Sequence, residues 1–150
     1  MEAAKLIQIW DQIRSGLVGT VEKFSDEELD TMPFDGSYSV RQIILHIAQE
    51  EYGEIHYGIT RLISEFPPQY AADEYPTIAA LIVLLTSVHN ETNRYLETLQ
   101  DSDLEREIEA GWGGSYVLMD MLWHVMEHEI HHRGELSLIL GMLGREGLDA

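Results

Sequence analysis

Apolar residues recur every three or four positions in four long stretches of the chain, and nowhere do they alternate convincingly enough to predict a strand. In the first stretch, from about residue 3 to 24, Leu6, Trp10, Ile13, Leu17, Val21 and Phe24 share one stripe. The second opens at Ser39, where Ser39 and Gln42 form a capping-box pair, and is expected to reach about Phe66 before Pro67-Pro68 stops it. The third starts after Pro76 and carries Leu81, Leu84, Leu85, Val88, Thr92, Tyr95, Leu96 and Leu99. The fourth starts near Ser115, after Gly111-Trp112-Gly113-Gly114, with Leu118, Met121, Val125, Leu136, Ile139 and Leu143. Four amphipathic helices of roughly 20 to 30 residues predict an all-α four-helix bundle.

The expected connections, Ser25 to Tyr38, Pro67 to Pro76 and Gln100 to Gly114, are longer than a minimal bundle needs. A second capping-box pattern, Ser25 to Glu28, predicts a short extra helix in the first of them. Loops of this length often cover a site, and Trp112 in the third is a candidate pocket wall or an inert surface residue. No repeat, low-complexity tract or linker divides the 150 residues, so a single domain, 1-150, is expected.

Charge and cysteine content narrow the chemistry. Nine basic against 27 acidic residues give a net charge of −18, which repels phosphate backbones and anionic lipid. Neither nucleic acid nor membrane is an expected partner; a small-molecule substrate is. With no cysteine, disulfides, thiolate metal ligands and a cysteine nucleophile are excluded, so any thiol chemistry must use a substrate's thiol. The N-terminal residues do not read as a signal peptide, and no apolar run approaches the ~18 residues of a membrane span, so a cytoplasmic location is expected.

Candidate chemistry concentrates in WHVMEHEIHHRGEL, which holds four of the seven histidines. His124, His128 and His132 are four residues apart, and a helix turns about 100° per residue, so they stack on one side. His128 and His132 fall inside the apolar stripe, with His124 and His131 at its edge. An inward imidazole pair at this spacing can share one divalent cation, with a third ligand from another helix. The best third donor is His46 in RQIILHIAQEE, although it lies off the apolar stripe of its own helix. Glu50 and Glu135 are possible hydrogen-bond partners for ligating imidazoles, or simply solvated charges. His56 and His89 are expected to face solvent or to be hydrogen-bonded.

The run His128-Glu129-Ile130-His131-His132 also matches H-E-x-x-H, in which the glutamate of a zinc protease activates water. The longer form requires a further glycine and histidine, and this chain has Glu135 and Leu138 in those places. A zinc hydrolase of this kind is a remote alternative, and Glu129 is not expected to be a catalytic base.

SVRQIILHIAQEE on the second helix and HEIHHRGEL on the last resemble the DinB/YfiT-like superfamily, with helices and length matching over nearly the whole chain. The resemblance implies an up-down-down-up four-helix bundle, often dimeric, holding a divalent metal, commonly zinc or nickel, on three histidines. Carried over by motif, these are His46, His128 and His132. It also implies activation of a low-molecular-weight thiol cosubstrate, as in thiol-dependent S-transferases; the competing expectation is a metal-binding or stress-responsive protein without catalysis.

Overall fold

In a computed structural model, which describes residues 2–147, four helices account for most of the chain: α1 Ala3–Val21, α2 Val40–Gly53, α3 Ile78–Leu96 and α4 Leu118–Met142. Packing follows the predicted stripes. α1 and α2 each lie against both α3 and α4, so the order around the bundle is α1, α3, α2, α4. The core divides into two apolar clusters, one around Leu17, Ile44 and Leu85, the other around Leu6, Trp10 and Leu122. No helix among the described residues is long and apolar enough to cross a membrane.

Both capping boxes form. The Gln42 amide donates to Ser39 Oγ (3.3 Å) and the Ser39 amide to Gln42 Oε1 (2.8 Å), which fixes the start of α2 six residues before His46. Ser25 and Glu28 cap a single 3₁₀ turn, Asp26–Glu28.

Two boundaries depart from the periodicity. Helix two does not reach Phe66: α2 widens into a π turn, Glu54–Ile59, and then stops. Arg61 takes the left-handed conformation (φ 55°), and the amides of Leu62 and Ile63 both donate to the His56 carbonyl, so the chain doubles back before the prolines. Phe66 then lies over Gly53, where a β-carbon would come within 2.3 Å of its ring. Phe66 therefore packs back onto α2 rather than extending it.

The second departure is a small antiparallel hairpin, β1 Glu107–Glu109 with β2 Ser115–Val117, where only a loop and the start of the last helix were expected. Strands of three mostly exposed residues carry no apolar alternation to read. Their signal was the turn, where Gly113 and Gly114 adopt φ of +91° and +89°, a region that favours glycine. The Gly111 amide donates to the Gly58 carbonyl (2.9 Å), docking the hairpin on the π turn.

Candidate metal centre

α2 and α4 pack side by side, and the three histidines meet across their seam. His46 Nε2 lies 3.1 Å from His128 Nε2, which lies 3.0 Å from His132 Nε2. The three rings stand edge to face, with centroids 4.4 to 4.9 Å apart. Two nitrogens, each about 2.0–2.1 Å from one ion at angles between right and tetrahedral, sit roughly 2.8–3.4 Å apart. The observed separations fit a shared cation.

Protonation also suits a donor set. The His128 imidazole is pushed down to about 3, first by burial and then by repulsion from His132, His46 and the two neighbouring histidines on α4. Burial, followed by His132, also lowers His46. Both are therefore neutral near pH 7, with a lone pair available. Glu135 Oε2 lies 2.6 Å from His132 Nδ1, so this nitrogen carries the proton and Nε2 is left free to coordinate. Glu50 is more distant: its carboxylate is 3.7 Å from His46 Nδ1, which is buried without a hydrogen-bond partner. Of the two carboxylates considered as partners, only Glu135 is in hydrogen-bond range.

A second, more exposed group on the same helix comprises His131, His132 and Glu135, with His131 Nε2 3.5 Å from the carboxylate. It shares His132 with the first. His124 is exposed, and His56 faces Glu91 at 3.3 Å. His89 is buried and hydrogen-bonded, 2.9 Å from Glu51 and 3.0 Å from Asp11.

The seam opens to solvent. A cavity of about 480 Å³ has His132 and Glu135 in its wall, with Phe34 and Tyr38 from the first loop and Leu138 and Met142 from α4. Tyr38 also stands edge-on to His46, with ring centroids 5.6 Å apart. The first loop is thus a wall of the site.

Glu129, the glutamate of the H-E-x-x-H match, is 2% exposed and turned into the core. Its carboxylate accepts from Trp10 Nε1 (3.1 Å) and from Arg14 Nε and Nη2 (3.1 and 2.9 Å). Arg14 also pairs with Glu51 and donates to the Leu85 carbonyl (3.0 Å). One buried guanidinium therefore joins all four helices, and sequence reasoning missed it. A carboxylate so engaged has no access to a water at the histidines.

A family model of the DinB superfamily matches residues 9–136, which contain all three histidines. The chain belongs to the DinB superfamily. Its DinB-type bundle is 27% identical to YfiT of Bacillus subtilis, described as a candidate metal-dependent hydrolase, over 91% of this chain and 85% of that one. The crystal structure of YjoA from Bacillus subtilis, a DinB-like protein, matches with a TM-score of 0.73 at 23% identity, covering 97% and 96% of the two chains. A mycothiol-dependent maleylpyruvate isomerase shares the fold at a TM-score of 0.61 and 16% identity, over 88% of this chain and 60% of that one.

Proposed function

We propose that this protein is a divalent-metal-dependent enzyme that activates a small thiol for transfer to a small electrophile, with His46, His128 and His132 as metal ligands. The observation that carries the reading is the convergence of three imidazole nitrogens beside an open cavity. No fourth protein donor joins this group among the described residues, which favours a reactive centre over a closed structural one. Zinc or nickel suits an all-imidazole set.

A divalent ion here supplies a Lewis acid that lowers the pKa of a thiol or water reaching it. The chain's own part is positional. Glu135 fixes the His132 tautomer, and Phe34, Leu138 and Met142 give the adjoining cavity an apolar wall. The thiol releases its proton to solvent, its sulfur forms a bond to the electrophilic carbon, and the leaving group departs with the bonding pair. With no cysteine in the chain, the attacking sulfur belongs to the cosubstrate.

Hydrolysis is the second reading, supported by the description of YfiT. One experiment separates the two. Metal-loaded protein is offered a panel of cellular thiols with a chromogenic electrophile and, in parallel, chromogenic esters and amides. The expected result is thiol consumption above background, lost with chelator and in His46→Ala. Hydrolysis without thiol consumption would transfer the reading to water, and inactivity in both arms would leave a metal-binding protein without catalysis.

The Glu135 contact makes its own prediction. Glu135→Ala should weaken metal binding by about tenfold, because a second partner that fixes a ligand's tautomer typically contributes that much. Competition with a chromophoric chelator measures it, and an unchanged affinity would reduce Glu135 to a surface charge.

A further inference from the structure

Trp112 lies outside the histidine centre, yet the fold goes to some length to place it. The hairpin lays its indole on Gly58 in the π turn, so closely that a β-carbon there would sit 2.4 Å from the ring. The same β-carbon would be 3.5 Å from Glu54 Oε2, so carboxylate and indole meet over one bare patch of backbone. Any other residue at position 58 would push Trp112 away. π turns interrupt helices at a cost and recur at functional sites.

Trp112 and Glu54 line a cavity of about 410 Å³ together with Tyr116, Asp120, Met121 and His124. The rings of Trp112 and Tyr116 stand 6.4 Å apart at 62°, giving two inclined aromatic walls, each a little under half exposed. No lysine or arginine is among the lining residues. Asp120 has an ordinary explanation, since it sits in the first turn of α4, where the helix dipole favours an acid. Glu54 has none. Its carboxylate has no hydrogen bond or ion pair among the described residues, and burial raises its pKa, with Glu50 adding to the rise and only His124 opposing it.

We propose that this cavity recognises an alkylammonium group on a small molecule, held between Trp112 and Tyr116 with Glu54 as its counter-charge. Aromatic faces attract cations through the ring quadrupole, most strongly when the cation is partly desolvated, and a carboxylate at the rim adds direct charge pairing. A neutral apolar ligand would use the walls but leave Glu54 unpaired. The strongly acidic chain further enriches cations at its surface. His124, in the cavity wall, is four residues before His128, so the ammonium site lies about one helical turn along α4 from the three histidines. This names a substrate class for the proposed enzyme and rests on that reading only for what happens at the molecule's other end.

The test uses choline as a probe and dimethylbutanol, its uncharged carbon isostere, as the control, followed by the Trp112 indole resonance and by calorimetry. Choline should bind saturably, in metal-free and metal-loaded protein alike, at least tenfold tighter than the isostere. Glu54→Gln and Trp112→Leu should each weaken choline binding by roughly tenfold. Equal binding of the isostere, no saturation by choline, or an unchanged choline affinity in Glu54→Gln would overturn the proposal. Glu54→Gln keeps size and shape, so the test stands even if Trp112→Leu loses its fold. Metal content is measured in the same samples. Normal metal without choline binding sinks only this inference, and choline binding without metal sinks only the enzyme reading.

Discussion

Arg14→Ala should cost about 3–5 kcal/mol of stability or prevent folding altogether, a far larger effect than any other single charge removal in this acidic chain. Arg14 is 5% exposed, and its two acidic partners, Glu51 and Glu129, are each 2% exposed. Removing the guanidinium leaves two carboxylates in the core facing one another with no cation between them. Burial works against the Glu51 carboxylate, but Arg14 and then His89 outweigh it and hold its carboxyl below the usual range. For Glu129 burial prevails over Arg14, and the carboxyl is raised. The sign of the pH dependence follows. In the parent, the stability contributed by Glu51 is present above about pH 4.3 and is lost as pH falls further. In Arg14→Ala both carboxyls are raised, so acid supplies the protons they lack. The gap between parent and variant should therefore narrow as pH drops towards about 4. Urea unfolding across pH measures this, and a penalty under about 0.5 kcal/mol at neutral pH would show the network to be dispensable. The triple variant Arg14→Met/Glu51→Leu/Glu129→Met should recover much of the loss, since replacing a whole buried ion network by apolar residues is often neutral or stabilising.

What could be read in the sequence, and what could not, divides along the physics of single helices. His128 and His132 were legible because both lie on one helix, four residues apart, inside its apolar stripe. His46 was not legible from its own helix. Its position off the stripe becomes meaningful only once α2 and α4 pack, and a family resemblance supplied what the pattern lacked. The buried network was missed because arginine and glutamate normally mark solvated faces, and Glu51 and Glu129 looked like any of 27 acids. A signal was present in the spacing. Arg14 is four residues from Trp10 and three from Leu17, Glu51 is four from both Ile47 and Ile55, and Glu129 is four from Val125, all buried apolar residues. One positive and two negative charges, each on the core stripe of a different helix, are a pattern worth testing as a set. The hairpin and the π turn had weaker signatures, because both are fixed by contacts between Gly58, Gly111 and Trp112 that are distant in sequence.

Purified protein should carry about one divalent transition-metal ion per chain, and the double variant His128→Ala/His132→Ala should carry essentially none. Two of three imidazoles are then gone, and a single remaining histidine binds such ions only weakly. The fold should survive, because His128 and His132 sit at the open seam rather than in either apolar cluster. Single variants locate the ion. His46→Ala should lose most of the metal while His131→Ala, at an exposed position, keeps it; the reverse would move the ion to the group formed by His131, His132 and Glu135. Protons compete with metal for imidazole nitrogens, and burial lowers His46 and takes His128 down to about 3. Occupancy should therefore hold through about pH 6.5, where an exposed histidine site would begin to empty, and fall only further into acid. Elemental analysis of the native-mass sample over a pH series gives both numbers. Full occupancy in the folded double variant would end the three-histidine assignment, and with it the enzyme reading built on that centre.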